Sequence, residues 1–225
     1  AAALCAPSKS DLQGRDIVIV EDQGLRAELD RLLTTGPLGQ DWIPAAPHLL
    51  VFCGNNRRQR LWHDWHGVAF ANDHLDAFFN AAVDAGIALS AFVLAAETHG
   101  LGACPISIIR NHADAVSDAL GLPLHVFPVA GLAVGWPAET PRLSLRLPLD
   151  VTVHTDLYTE TDLRRHIAAY DTRRQAVQPF RRQRDVARFG TSSDYGWSED
   201  KARQYATPER ADFGAFVRRK GFNLE

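Results

Sequence analysis

Residues 100–136 read GLGACPISIIRNHADAVSDALGLPLHVFPVAGLAVGW and join a glycine-bounded strand, a short helix and a second strand in one block. Gly100 and Gly102 permit backbone angles closed to other residues, and residues 104–109 form a short apolar run. Asn111 or Asp114 can accept bonds from the first free amides of a helix over residues 112–120. Gly121 then offers a left-handed exit, with Pro123 beyond it to prevent continuation. Residues 125–134 are apolar and carry valine and phenylalanine, the pattern of a buried strand.

Outward from this block, the pattern predicts a strand over 16–20, a helix over 25–33, a turn over 35–39 and a strand over 48–53. Residues 55–60, polar and rich in arginine, read as an exposed loop. The longest apolar segment, residues 74–98, is interrupted by Asp76, Asn80, Asp84 and Glu97. A membrane span wants about 20 predominantly apolar residues, so these polar groups argue against one. Its alanines and glycine predict a central buried helix, packed against other helices or against its own copy in a dimer. After Trp136, Pro137, Pro141 and Pro148 punctuate an extended linker, and residues 161–220 are helical and basic, with loops at 178–180 and 189–196. A further helix is expected after Pro208. The sum is an α+β domain over residues 1–158, built on a mostly antiparallel central sheet flanked by helices. A C-terminal helical extension follows over 159–225.

With 225 residues, 46% hydrophobic and 23% charged, the chain can bury one sizeable core. A net charge of -3 gives no general attraction to nucleic acid or to an anionic membrane. Cys5, Cys53 and Cys104 lie far apart without a Cys-x-x-Cys pair, which indicates neither a disulfide scaffold nor a thiolate metal site and suits a cytoplasmic setting. The sequence has no dinucleotide-binding glycine fingerprint, no Walker loop and no nucleophile elbow. His63-Asp64-Trp65-His66 invites a metal reading, but no further ligand near it in sequence completes a set.

Four stretches together carry a resemblance: the loop APSKSDLQ at residues 6–13, Gln40 placed 13 residues before Cys53, the Arg110-Asn111 pair after the first strand of the block, and LSLRLP at residues 143–148. The chain resembles the nitroreductase and NADPH-dependent flavin reductase family, from residue 6 onward. That resemblance implies FMN as cofactor and NADPH or NADH as electron donor. It also implies a homodimer with the flavin at the subunit interface, and reduction of a nitroaromatic, quinone or flavin by ping-pong hydride transfer through flavin N5. The other activities it leaves open are a divergent flavoprotein of the same fold, dehalogenating or flavin-fragmenting, and a non-catalytic flavin-binding or apo scaffold.

The resemblance assigns the site residue by residue. Ser8, Lys9, Ser10 and Gln40 would meet the ring edge or ribityl hydroxyls, with Ser10 and Asp11 lining the substrate face. The backbone of Pro105, Ile106, Ser107 and Ile108 would face the ring; Pro105 has no N–H, so a donor to N5 must come from Ile106, Ser107 or Ile108. The family's glycines are replaced here at Ser107 and Ile108, and its basic residue at Ser144, leaving Arg146 as the phosphate's fixed charge. The Arg-rich helix that precedes the family's loop is missing from the chain, which opens in AAALCAPSKSD and holds no methionine, as though truncated or processed. Eight arginines lie between residues 164 and 188, and one or two of Arg181, Arg182 and Arg184 would read the 2'-phosphate of NADPH. Arg210 would reach toward the substrate pocket, and the aromatic tail onto the domain or the partner subunit.

Overall fold

A computed structural model describes residues 1–36, 39–140 and 142–225. The chain divides into two compact units, Ala1–Glu139 with Arg210–Glu225, and Thr140–Glu209.

The first unit is organised by a sheet of β1 (Arg15–Val20), β2 (His48–Asn55), β3 (Gly102–Ile106) and β4 (Val126–Gly135) in the order β1-β2-β4-β3, every pairing antiparallel. β2 and β4 are the inner strands and are covered on both faces, so their sequences run continuously apolar instead of alternating. Successive side chains still go to opposite faces. Leu49, Val51 and Cys53 pack with Leu29 and Leu33 of α1 (Gln23–Thr34) and Val116 of α4 (Ala113–Ala119). Leu50 and Phe52 pack instead with Ala88 of α3 (Leu75–Thr98). A β-bulge falls between Phe52 and Cys53, and Gly54 follows it, where a Cβ would meet the Phe127 ring at 2.4 Å. α1 is opened by Asp22, whose side chain accepts from Leu25 N at 2.8 Å. The expected exit of α4 at Gly121 is present, with φ of 60°.

α3 differs from its expected form. Ala77, Ala81, Ala85, Ala88 and Ala96 are buried, but Phe79 is 59% and Leu94 62% exposed, so the helix is buried along an alanine stripe and presents large apolar side chains on its other side. Residues 55–60 are not a loop. Asn55 ends β2, and the arginines open α2 (Arg57–His66), which ends at Gly67 in the left-handed conformation. No residue of α2 is buried, so no apolar stripe announces it in the sequence. The apolar run at 104–109 leaves the strand at Ile106 and turns through a 3-10 helix, Ile108–His112. The turn expected over 35–39 includes Pro37 and Leu38, which lie outside the described residues, as does Pro141 of the linker.

The second unit carries α5 (Leu149–Thr152), α6 (Leu163–Val177), α7 (Val186–Phe189) and α8 (Trp197–Gln204), with α6 packed on α8. α9 (Phe213–Arg219) returns to the first unit, where Phe216, Val217 and Phe222 join Phe127, Ala81 and Ala113 in a separate core cluster.

Candidate active site

The loop at residues 6–13 is held in a conformation that its own sequence does not favour. Ser10, Asp11 and Gln13 have φ of 49°, 56° and 51°, in the left-handed region that costs a residue with a Cβ about 1–2 kcal/mol. What holds them there is Asp84 of α3. Its carboxylate accepts from Lys9 N at 3.0 Å and Gly14 N at 2.8 Å, clamping both ends of the loop. Asp84 is 2% exposed, and its counter-charge is the equally buried Arg15, whose Nη1 lies 3.8 Å from Oδ2. Arg15 also donates through Nη2 to the carbonyls of Leu4 and Ala6, so the same ion pair fixes the chain entering the loop. The Ser8 hydroxyl accepts from Gln13 N at 2.9 Å and closes the loop on itself. Over-determined strain of this kind is typical of ligand sites.

Lys9 and Ser10 line a cavity of about 380 Å³, together with Asn55, Asn56, Gln59 and Asn80. The walls therefore mix neutral amides with the Lys9 cation, the carboxylates of Asp76 and Asp84, and apolar Leu12, Phe70, Ala77 and Ala81. Gln40, in the turn ahead of β2, accepts from Trp42 Nε1 at 3.0 Å through its side-chain oxygen.

At the exit of β3, Pro105 and Ser107 are exposed, whereas Ile106 and Ile108 bury their side chains in the core. Contact from those two isoleucines is thus restricted to their main chain. Arg210 belongs to this region: its Nε donates to Asn111 Oδ1 at 2.7 Å and its Nη2 lies 3.4 Å from Ser107 Oγ. Neither Asn111 nor Asp114 caps the following helix as expected. Both turn instead to the C-terminal segment, Asn111 to Arg210 and Asp114 to Arg219 at 2.5 Å.

The remaining candidates lie in the second unit. Arg146 turns its guanidinium onto its own segment, donating to the Ser144 carbonyl and hydroxyl. Arg184 donates to Asp200 Oδ1 at 3.0 Å, beside Tyr195 and Lys201, which also serve that carboxylate. Burial alone would raise the Asp200 carboxyl, but the Lys201, Tyr195 and Arg184 donors outweigh it and hold it below 3.8. Arg181 and Arg182 are exposed. A thiol nucleophile is not available from Cys53, since burial, with Asp16 nearby, pushes its thiol up to about 12. His63 turns Nδ1 to the Val68 carbonyl at 3.1 Å, and among the described residues no group of His, Cys, Asp or Glu is placed to hold a metal ion.

The sequence matches the model of the Nitroreductase family over residues 1–136 and that of the Nitroreductase family, C-terminal domain, over residues 144–225. The chain belongs to the nitroreductase family. It is 31% identical over 227 residues to the FMN reductase [NAD(P)H] of Bacillus subtilis (strain 168), covering 100% of this chain and 87% of that one. To the oxygen-insensitive NADPH nitroreductase of Salmonella typhimurium it is 36% identical over 173 residues, 76% of this chain and 68% of the relative. Among solved structures, NfrA2 of B. megaterium superposes with a TM-score of 0.86 at 31% identity, covering 100% of this chain and 87% of that one. The nitroreductase fold, α+β around an antiparallel sheet, is therefore the fold of this chain.

FMN asks for donors and acceptors along a ring edge, hydroxyl partners for a ribityl chain and positive charge for a phosphate. The loop clamped by Asp84 presents Lys9 and Ser10 to a cavity that also carries the amides of Asn55, Asn56, Gln59, Asn72 and Asn80, and this donor set fits the ring edge and ribityl chain of that group. Sequence reasoning missed Asp84 and Arg15, although a lone carboxylate in the middle of an alanine-rich helix is the kind of signal that points to a buried partner.

Proposed function

We propose that the chain is an NAD(P)H-dependent FMN oxidoreductase that accepts hydride from the nicotinamide and then reduces a nitroaromatic, quinone or free flavin in a second half-reaction. The observation that carries this reading is the strained Ser10–Gln13 backbone, clamped at both ends by buried Asp84 beside a cavity lined in part by side-chain amides. The names of the B. subtilis and Salmonella relatives, an FMN reductase and an NADPH nitroreductase, support the same chemistry.

When bound, FMN supplies a ring that takes up a hydride and gives it on, which no side chain can do. The protein's part is to bind and orient. Ser8, Lys9, Ser10 and Gln40 would hold the ring edge and ribityl chain, and Ser144 with Arg146 would take the phosphate. A main-chain amide among Ile106, Ser107 and Ile108 would supply a hydrogen bond to the ring. Asp11 and Arg210 border the place where nicotinamide and acceptor alternate, and among Arg181, Arg182 and Arg184 one or two meet the nucleotide's 2'-phosphate.

The apolar side of α3, with Phe79 and Val83 one turn apart and Leu94 farther along, is the surface we assign to a second copy in a homodimer. Three free cysteines suit a reducing cytoplasm.

Purified protein tests this directly. Absorbance near roughly 450 nm that bleaches with NADPH and returns on adding a quinone is the expected result. Protein that stays colourless after incubation with excess FMN would defeat the proposal.

A further inference from the structure

We infer that Asn111 and Ser107 are positioning residues that aim the Arg210 guanidinium, and so set the affinity for the electron acceptor without touching it. The inference rests on the oxidoreductase reading above and deepens it.

The geometry is built from both directions. Arg210 itself has φ of 56°, a left-handed conformation that a long side chain rarely adopts, and its carbonyl accepts from Phe213 N at 3.0 Å as α9 begins. α9 is in turn bolted to the surface that carries Asn111. Arg219 pairs with Asp114, and buried Lys220 donates from Nζ to Ser117 Oγ at 2.9 Å and to the Leu122 carbonyl at 2.7 Å. Phe216 and Val217 are sealed in the aromatic core beneath. The backbone of Arg210 is thus fixed relative to α4 before its side chain makes any contact.

The side chain then meets two neutral acceptors on one short turn. Asn111 Oδ1 takes Nε at 2.7 Å, and Ser107 Oγ stands 3.4 Å from Nη2. Two anchors on separate nitrogens define the plane of a guanidinium as well as its position. Ser107 is exposed on the segment leaving β3, so its hydroxyl meets the guanidinium from that segment. A glycine at residue 107 would supply no hydroxyl, and the substitution noted in the sequence therefore adds an anchor at this place.

Holding an arginine's rotamers costs entropy, and anchors present before the ligand arrives remove that cost from binding. Loss of an anchor is therefore read in KM for the acceptor. The test compares wild type, Asn111→Ala, Asn111→Asp, Ser107→Gly, Arg210→Ala and the Asn111→Ala/Arg210→Ala double variant, as flavin-loaded protein, with NADPH as donor and 1,4-benzoquinone or 4-nitrobenzoate as acceptor. Arg210→Ala should raise the acceptor KM about tenfold and Asn111→Ala nearly as much, with kcat and absorbance per protein unchanged. The double variant should be no worse than Arg210→Ala alone, because Asn111 acts only through that side chain. Asn111→Asp, which keeps an acceptor oxygen, should stay near wild type, and Ser107→Gly, removing the longer contact, should raise KM about threefold. If Asn111→Ala does not fold, the Ser107→Gly and Arg210→Ala pair reads the same coupling. An unchanged KM in Asn111→Ala, or effects that add in full in the double variant, would overturn the inference. Wild-type protein without a bleachable flavin band would overturn the underlying reading instead, so the two failures are distinct.

Discussion

Each unit of the chain buries one aspartate to 2% exposure, and the two are used in different ways. Asp84 spends its oxygens on main-chain amides, those of Lys9 and Gly14, and takes Arg15 as counter-charge. Asp200 meets side chains, those of Arg184, Tyr195 and Lys201. A carboxylate bonded to amides dictates where a backbone runs, which is what a ligand loop requires. One bonded to side chains ties helices and loops to each other. The same chemical group thus shapes a site in the first unit and stitches an extension in the second.

Removing each carboxylate should break the comparison if it is wrong. Asp84→Ala leaves Arg15 buried without its partner and frees both ends of the loop, at a cost of about 3–5 kcal/mol in urea unfolding. Flavin retention should fall with it. Asp200→Asn should cost about 1–3 kcal/mol and leave the flavin content of folded protein intact. Equal loss of flavin in both variants would show that the two carboxylates do the same job.

Acid sharpens the contrast further. The Asp200 carboxyl is held lower in the folded chain than in the unfolded one, so the unfolded chain takes up the proton first as pH falls. Its contribution to stability is therefore present above the unfolded chain's value and lost as pH drops through the lower folded one. Asp200→Asn should flatten the acid limb of a stability–pH profile by the same amount that it lowers stability at neutral pH. A profile parallel to wild type would contradict this.

The smallest effect concerns strain. Asp11→Gly removes a Cβ from a position at φ of 56° and should raise stability by about 1 kcal/mol while weakening flavin retention. Asp162, at φ of 58° in the second unit and paired with exposed Arg165, is the control. Asp162→Gly should alter thermal stability slightly and flavin not at all.

The inner strands were legible in sequence because burial on both faces leaves an apolar run, and α1 because its buried leucines recur at helical spacing. α2 was not, since nothing on it is buried. The loop at residues 6–13 was recognisable as a motif, but its strain and its clamp were not, because Asp84 lies 75 residues from Lys9. Asn111 was misread as a cap for a comparable reason: local sequence offers free amides nearby, whereas its actual partner, Arg210, is 99 residues away. Short-range rules find the hydrogen-bonding group and miss its long-range competitor.

The return of α9 to the first unit has a consequence for synthesis. Nascent chains usually fold domain by domain as they leave the ribosome, earliest residues first. Here the cluster around Phe127 stays open until Phe216 and Phe222 are made, after the whole of Thr140–Glu209 has emerged. The first unit is begun early and completed only after Thr140–Glu209, and Arg210 meets Asn111 and Ser107 only then.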